Sequence, residues 1–544
     1  MKYYDLGTHS RPVATKTPDA QTWFDRGLVW LYAYNHEGAI ACFEQALNAD
    51  PDCAMAHWGI AYSVGPNYNK PWETFEPEEK VAAVNSAQTA IKAARALVER
   101  QSPADRALIE TLPKRCPADP VDDFAPWNDS FAAAMREVQR TFPEDLDIAA
   151  LCAEALMNRT PWQLWDLSTG KPAEGADTLE AGQLLERAIA MPGGWDHPGL
   201  LHMYIHLMEM SPHPEGALRH GDRLSGLVPD AGHLIHMGSH IDVLCGDYYR
   251  VVERNARAIE ADKLWVEREG AENFYTVYRC HNYHFKIYGA MFLGQRAAAL
   301  ETADELAMSL PEPVLRPLAE WFEAFVPMKQ HVFIRFGMWS DILEQELPGD
   351  PALYAMTTAL MRYARTIALA NLGRIEQADV EADAFRAAQA AVPESRMLFN
   401  NTCTDILKIA EQMMLGELQY HKGNHEAAFD HLRAAVHLDD TLPYDEPWGW
   451  MQPTRHALGA LLLDQGRLEE AEAVYRADLG LDPTLARACQ HPQNVWSLHG
   501  LHECLIRRGE TVELGHIRQQ LDRAAARADV PIRASCYCRR NLAA

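Results

Sequence analysis

Residues 22–51 read TWFDRGLVWLYAYNHEGAIACFEQALNADP. Trp23, Gly27, Ala39, Phe43, Ala46 and Pro51 are spaced as two helices joined by a tight turn, within a period of 34 residues. Each residue type has a packing reason. Gly27 and Ala39 let the two helices approach closely, Trp23 and Phe43 fill the gap between them, and Pro51 stops the second helix. The pattern returns in MMLGELQYHKGNHEAAFDHLRAAVHLDD through Gly416, Ala428 and Ala435. It returns again in RHALGALLLDQGRLEEAEAVYRADLGLDP through Gly459, Ala471, Tyr475 and Pro483. Strand signals are nearly absent, and Ala-, Leu- and Glu-rich amphipathic stretches alternate with DP, GQ, GR and GN punctuation. The expected fold is all-α, a solenoid of helix–turn–helix pairs with loop insertions.

Weaker copies of the repeat occur in YARTIALANLGRIEQADVEADAF and FKIYGAMFLGQRAAALETADEL, and NVWSLHGLHECLIRRGE reads as a terminal one. Expected insertions are SVGPNYNKPWETF, PKRCPADPVDDFAPW and PWQLWDLSTGKPAEGAD, long loops of the kind that carry function. The punctuation divides the chain into an N-terminal arm (1–19), N-terminal repeats (20–115), a helical segment with insertions (116–195), histidine-rich central repeats (196–345), C-terminal repeats (346–525) and a tail (526–544). The repeat is that of the tetratricopeptide-repeat proteins. Several segments together, among them YDLGTHSRPV, DPDCAMAHWGIAYSVGPNYNKPWE, HPGLLHMYIHLMEMSPHPEGAL, VPDAGHLIHMGSHID and LPYDEPWGWMQPTRHALGALL, resemble a bacterial and fungal family of large tetratricopeptide-repeat proteins. The resemblance spans nearly the whole chain. It implies the fold and supplies no reaction. Gly238, in HMGSH, stands where that family tends to have proline, and either residue would kink the helix.

Composition narrows the function. Of 544 residues, 48% are hydrophobic and 23% charged, which fits a globular chain and not a disordered one. The formal charge of −26 repels phosphate backbones, so nucleic acid is not expected as a partner. No apolar run is long enough for a membrane span, and the start lacks the apolar centre of a signal peptide. The 11 cysteines are odd in number and scattered, as expected in a reducing cytoplasm. Cys536 and Cys538 are the one close pair, expected to pack in the tail, with a metal or redox role as the other reading.

The histidines carry the strongest functional signal. Seven of the 23 fall between His202 and Asp242. His202 and His206 share one helix face, continued by Glu209. His233, His236 and His240 share another. His236 follows His202 by one repeat length of 34 residues, and His240 follows His206 by the same interval. Stacked first helices should therefore carry the same pair. Extending the register places His281 opposite His233, His284 opposite His236, Tyr288 opposite His240, and His331 on the same row. The resemblance implies that this row faces the concave groove. His213 and His220 fall off it and are expected to be solvated or structural.

Imidazole pairs on helices 8–10 Å apart can converge on a transition metal. His202, His206, His236 and His240 are the expected ligands, of copper, iron or zinc, with nickel also compatible. Glu209 and His284 are additional ligands or outer partners, and Glu209, Tyr288 or His284 would shuttle protons. The other reading of the row is a hydrogen-bonded ladder without metal.

Other candidates are substrate contacts. In YDEPWGWMQPTRHALG, Arg455 can grip a carboxylate, His456 lies on the inward row, and Tyr444 sits in the preceding loop. Asp445 and Glu446 there would equally serve as helix caps. GPNYNKP offers Asn67, Tyr68, Asn69 and Lys70 beyond a helix carrying His57 and Tyr62, and reads first as a polar loop. STGKP around Lys171 is no phosphate loop, and no dinucleotide fingerprint or nucleophile elbow is present. Trp162 and Trp165 read as packing. Two functions follow. One is a cytoplasmic metal-dependent enzyme oxidising or hydrolysing a small-molecule substrate. The other is a scaffold that binds a protein or peptide partner in its groove without catalysis.

Overall fold

A computed structural model describes residues 3–118 and 123–539. The tip of the expected PKRCPADPVDDFAPW insertion (119–122) and the end of the tail (540–544) lie outside the described residues. The described chain is helical, with two short two-stranded antiparallel ribbons. One pairs Trp165–Asp166 with Lys171–Pro172, the other Met397–Leu398 with Asn401–Thr402. The chain forms two compact units, 1–241 with 257–275, and 242–256 with 276–544.

The first unit opens with α1 (Pro18–Tyr32), α2 (His36–Ala49), α3 (Ala54–Ser63) and α4 (Pro77–Ala96). The side chain of Thr17 accepts from the Ala20 amide, and Pro18 occupies the first turn, where its missing N–H costs nothing. Asn35 caps α2 in the same way through the Gly38 amide. The Phe43 ring then sits between α1 and α3. A Cβ on Gly27 would lie 2.6 Å from it, and one on Gly59 2.5 Å. No other residue type fits at either glycine without moving the ring. The second unit repeats the device, with Gly459 and Gly500 both against the Tyr475 ring. The tetratricopeptide-like helix pairs expected from sequence are thus built, and Pro51 follows the end of α2 as the repeat requires.

The first unit continues through α5 (Pro103–Arg115), α6 (Ala125–Thr141), α7 (Leu146–Met157), α8 (Thr178–Ile189) and α9 (Pro198–Glu209). Next come the short α10 (Leu218–Leu224), α11 (Gly232–His236) and α12 (Gly238–Leu244). One continuous helix through His233, His236 and His240 is interrupted at Met237. The break adjoins Gly238, where the sequence predicts a kink, and the chain packs closely there: a Cβ on Gly221 would come within 2.7 Å of the Gly238 Cα. The N-terminal arm is pinned by charge. Arg11 bonds Asp145 at 2.9 Å, Asp105 at 2.9 Å and Asp147 at 3.2 Å. Burial alone would push the Asp147 carboxyl up, but hydrogen bonds from His197 and His9 hold it well below its usual range.

No helix among the described residues is long and apolar enough to cross a membrane. The hairpin packing gives a direct test. Phe43→Ala leaves a cavity between α1 and α3 and is expected to cost about 3–5 kcal/mol, read as a lower denaturant midpoint for the first unit. An unchanged midpoint would contradict the role given to the ring.

Candidate metal centre

Helix α9 starts where the His197 ring accepts from the Leu200 amide at 3.2 Å, with Pro198 in the first turn. One helical turn then puts His202 and His206 on the same face. Both are fully buried, as are His233, His236 and His240, with Glu209 at 1% exposure. The side chains of His202, His206 and His233 bring one ring nitrogen each to within 4.8 Å of one another, and so do His206, Glu209 and His240 with one ligand atom each.

Hydrogen bonding fixes which nitrogen is available. His202 Nδ1 lies 2.7 Å from the Tyr32 carbonyl oxygen, which can only accept, so Nδ1 carries the proton. His206 Nδ1 donates to Glu209 Oε1 at 2.9 Å. His240 Nδ1 donates to Glu209 Oε2 at 2.8 Å. One carboxylate therefore orients two imidazoles through its two oxygens. The Nε2 atoms of His202 and His206 are left as buried lone pairs with no hydrogen-bond partner. Leaving such an atom unmet costs about 1–3 kcal/mol. His236 Nε2 and His240 Nε2 approach to 2.6 Å. Burial drives His202 down to about 3, and His206 well below its usual value, with the neighbouring histidines adding to the effect. Both rings are neutral at physiological pH, the form that ligates a metal. Donating Nδ1–H to a carboxylate or carbonyl while presenting Nε2 is the arrangement that metal-binding histidines adopt.

Aromatic rings wall the cluster. The Tyr34 ring centroid lies 4.6 Å from that of His202, and Tyr68 lies 4.9 Å from His206. Trp162 packs edge-on to His206 at 5.8 Å. Tyr34 and Trp162 both hold left-handed backbone conformations, with φ of 56° and 60°. Two such strained non-glycine residues beside one imidazole fit a site whose shape is imposed by its surroundings. Tyr34 does not stand out in the sequence, because it lies off the histidine row, and Tyr68 reads there only as part of a polar loop. Tyr34 also lines a cleft of about 320 Å3 that includes His36, Asn67, Lys70, Phe75 and Phe274.

The remaining candidates have other surroundings. Asn69 shares the loop of Asn67 and Lys70, and its amide donates to Asn67 Oδ1 at 2.9 Å. His213 is exposed, whereas the His220 ring packs tilted against Tyr204, 4.3 Å between centroids. Trp165 donates its indole N–H to the Leu207 carbonyl at 2.7 Å, a packing role. In the second unit, His284 Nε2 lies 2.7 Å from Met451 Sδ, and burial lowers the ring to about 3. Tyr288 bonds His491 Nε2 at 3.1 Å, and His491 Nδ1 lies 2.8 Å from Asp478. His456 meets the same Asp478 at 3.0 Å. This buried Tyr–His–Asp chain escaped the sequence because His491 sits in a loop outside the repeat register. The Arg455 fork is occupied by both oxygens of Asp440. Tyr444 bonds Glu446, and Asn401 donates to Asp445 at 2.8 Å.

Comparison with known proteins finds a tetratricopeptide-repeat family model matching residues 453–485. Among solved structures, the chain is similar to the human IFIT1 dimer with PPP-AAAA, at 10% identity over 92% of this chain and 89% of that one, with a TM-score of 0.31. It is also similar to yeast Tom70, at 12% identity over 92% of each chain, with a TM-score of 0.28. No curated protein sequence matches the chain significantly.

The buried imidazoles make stability depend on pH. Burial holds His331 down to about 3 in the folded state, against about 6.5 when unfolded. The unfolded chain then takes up the proton first, so the stability is whole above about pH 6.5 and is lost as pH falls toward 3. His331→Leu is expected to shrink the stability difference between pH 7 and pH 5 by about 2 kcal/mol, measured by denaturant unfolding at both values. An undiminished difference would contradict a neutral, buried His331.

Proposed function

We propose that this chain is a tetratricopeptide-type binding protein that recognises a protein or peptide partner. The observation that carries this reading is the helix-pair array itself. Its glycines and aromatics, Gly27, Phe43 and Gly59 in one unit and Gly459, Tyr475 and Gly500 in the other, are spent on internal packing, leaving the remaining helix faces for recognition. The match at residues 453–485 supports it. We place the contact at the cleft of the first unit. There the Lys70 ammonium lies 4.4 Å from the Phe75 ring centroid and 4.0 Å from that of Phe274. Aromatic walls around a cation suit an extended peptide. The free state of all 11 cysteines supports a cytoplasmic setting.

A second reading is favoured by one specific observation, the buried Nε2 lone pairs of His202 and His206. In this reading the first unit holds a transition metal on His202, His206 and His233, with His236 and His240 beside them. Glu209 orients His206 and His240 through its two oxygens. An all-imidazole set favours copper or zinc over iron. Such a centre would oxidise or hydrolyse a small molecule, and Tyr34, common to the cleft and the cluster, marks its approach.

The two readings separate experimentally. Affinity purification with quantitative mass spectrometry is expected to enrich a defined partner that is lost with Lys70→Glu plus Phe274→Ala and kept with His202→Ala plus His206→Ala. Enrichment indifferent to the cleft variants would contradict the partner reading. For the metal, protein purified without a polyhistidine tag should carry stoichiometric metal that the histidine pair variant loses. Glu209→Gln should weaken its affinity about 10- to 100-fold. Metal content unaffected by these changes would end the second reading.

A further inference from the structure

The C-terminal Cys-X-Cys pair finds a partner that its sequence does not contain. Residues 531–539 run as a non-helical strap on the second unit, with a turn at 537–538. Several contacts tie the strap down. Ser535 Oγ bonds the Tyr475 hydroxyl, Arg539 pairs with Glu503 at 2.6 Å, and Tyr537 packs on Gly337. The strap carries Cys536 and Cys538 to Glu417, in the helix Cys403–His421. The two sulfurs and a Glu417 carboxylate oxygen lie within 4.8 Å of one another. Cys538 and Glu417 are buried, at 0% and 2% exposure. The Cys538 amide donates to Cys536 Sγ at 3.3 Å, and Asn371 donates to Glu417 Oε2 at 3.2 Å. These are the contacts that orient an anionic ligand set.

Charge supplies the second observation. Arg335 is buried within Coulombic reach of both cysteines. Its guanidinium bonds only neutral oxygens, the Ser535 carbonyl at 3.3 Å and Gln452 Oε1 at 3.4 Å, and lies over the Trp496 ring. It makes no ion pair among the described residues. Besides the two cysteines, the buried Asp478 carboxylate lies within Coulombic reach, at no ion-pair distance, and a buried cation met only at long range gains from further negative charge. Two thiolates and one carboxylate carry three negative charges. One divalent ion offsets two of these charges, and the nearby Arg335 guanidinium favours the rest.

We propose that Cys536, Cys538 and Glu417 bind a divalent, thiophilic cation of the zinc class, at a site independent of the imidazoles of the first unit. Two sulfurs and one oxygen leave a fourth position for water, a zinc-like geometry. The strap would thereby be fastened to its helix by a metal where a disulfide would serve in an oxidising compartment.

The test is an anaerobic cobalt(II) titration of the reduced, metal-free full chain. The expected result is a sulfur-to-cobalt charge-transfer absorption that saturates at one equivalent and is displaced by zinc. Cys536→Ser plus Cys538→Ser should abolish it, Glu417→Gln should weaken cobalt affinity at least about tenfold, and His202→Ala plus His206→Ala should leave it intact. Three results would overturn the proposal: no such band, a band that survives the serine pair, or thiols already closed as a disulfide in freshly isolated protein. Should the serine pair not fold, Glu417→Gln decides, and unchanged cobalt affinity overturns the site.

Discussion

The Phe43 ring lies where two glycines leave room for it, and the helix pairing depends on that fit. Gly27 and Gly59 admit the ring from helices on either side, so one aromatic fixes the spacing of three helices. Tyr475 does the same in the second unit between Gly459 and Gly500. The consensus residues are consumed in this contact, and the other face of α9 is buried as well, with His202 and His206 at 0% exposure. That second buried face of α9 carries imidazoles, walled by Tyr34, Tyr68 and Trp162.

Glu209 turns that face into a site. A carboxylate buried to 1% exposure is expensive unless its oxygens are met. Here one oxygen accepts from His206 and the other from His240. The two rings come from different helices, so the same carboxylate holds both the ring orientations and the approach of the helices. The consequence is directional. With Nδ1 committed to Glu209 or to the Tyr32 carbonyl, Nε2 is the nitrogen presented to the interior.

Much of this was legible in the sequence, for a physical reason. A repeat of fixed length makes equivalent residues countable, so the interval between His202 and His236 announced that two helices present the same pair. Counting could not announce what lies off the register. Tyr34 and Tyr68 approach the cluster from a helix end and a loop, and His491 reaches Tyr288 from a loop. Register also overstated likeness. His284 and Tyr288 were aligned with His236 and His240, yet one meets a methionine sulfur and the other a histidine held by Asp478. Arg455 read as a free fork because Asp440, its partner, belongs to the preceding helix, 15 residues away. The helix break at Met237 adjoins Gly238, which the segment HMGSH already marked, whereas the close approach of Gly221 to it could not be read from that segment.

The two proposed readings part on whether the imidazoles of the first unit enclose an ion. X-ray absorption on metal-loaded, untagged protein tests it most directly, in a Cys536→Ser plus Cys538→Ser background so that only imidazole sites contribute. The metal reading predicts a nitrogen-only inner shell at about 2.0–2.1 Å, with the multiple-scattering pattern of at least three imidazoles, and its disappearance in His202→Ala plus His206→Ala. Failure to retain metal, or a spectrum that those two substitutions do not change, would contradict it.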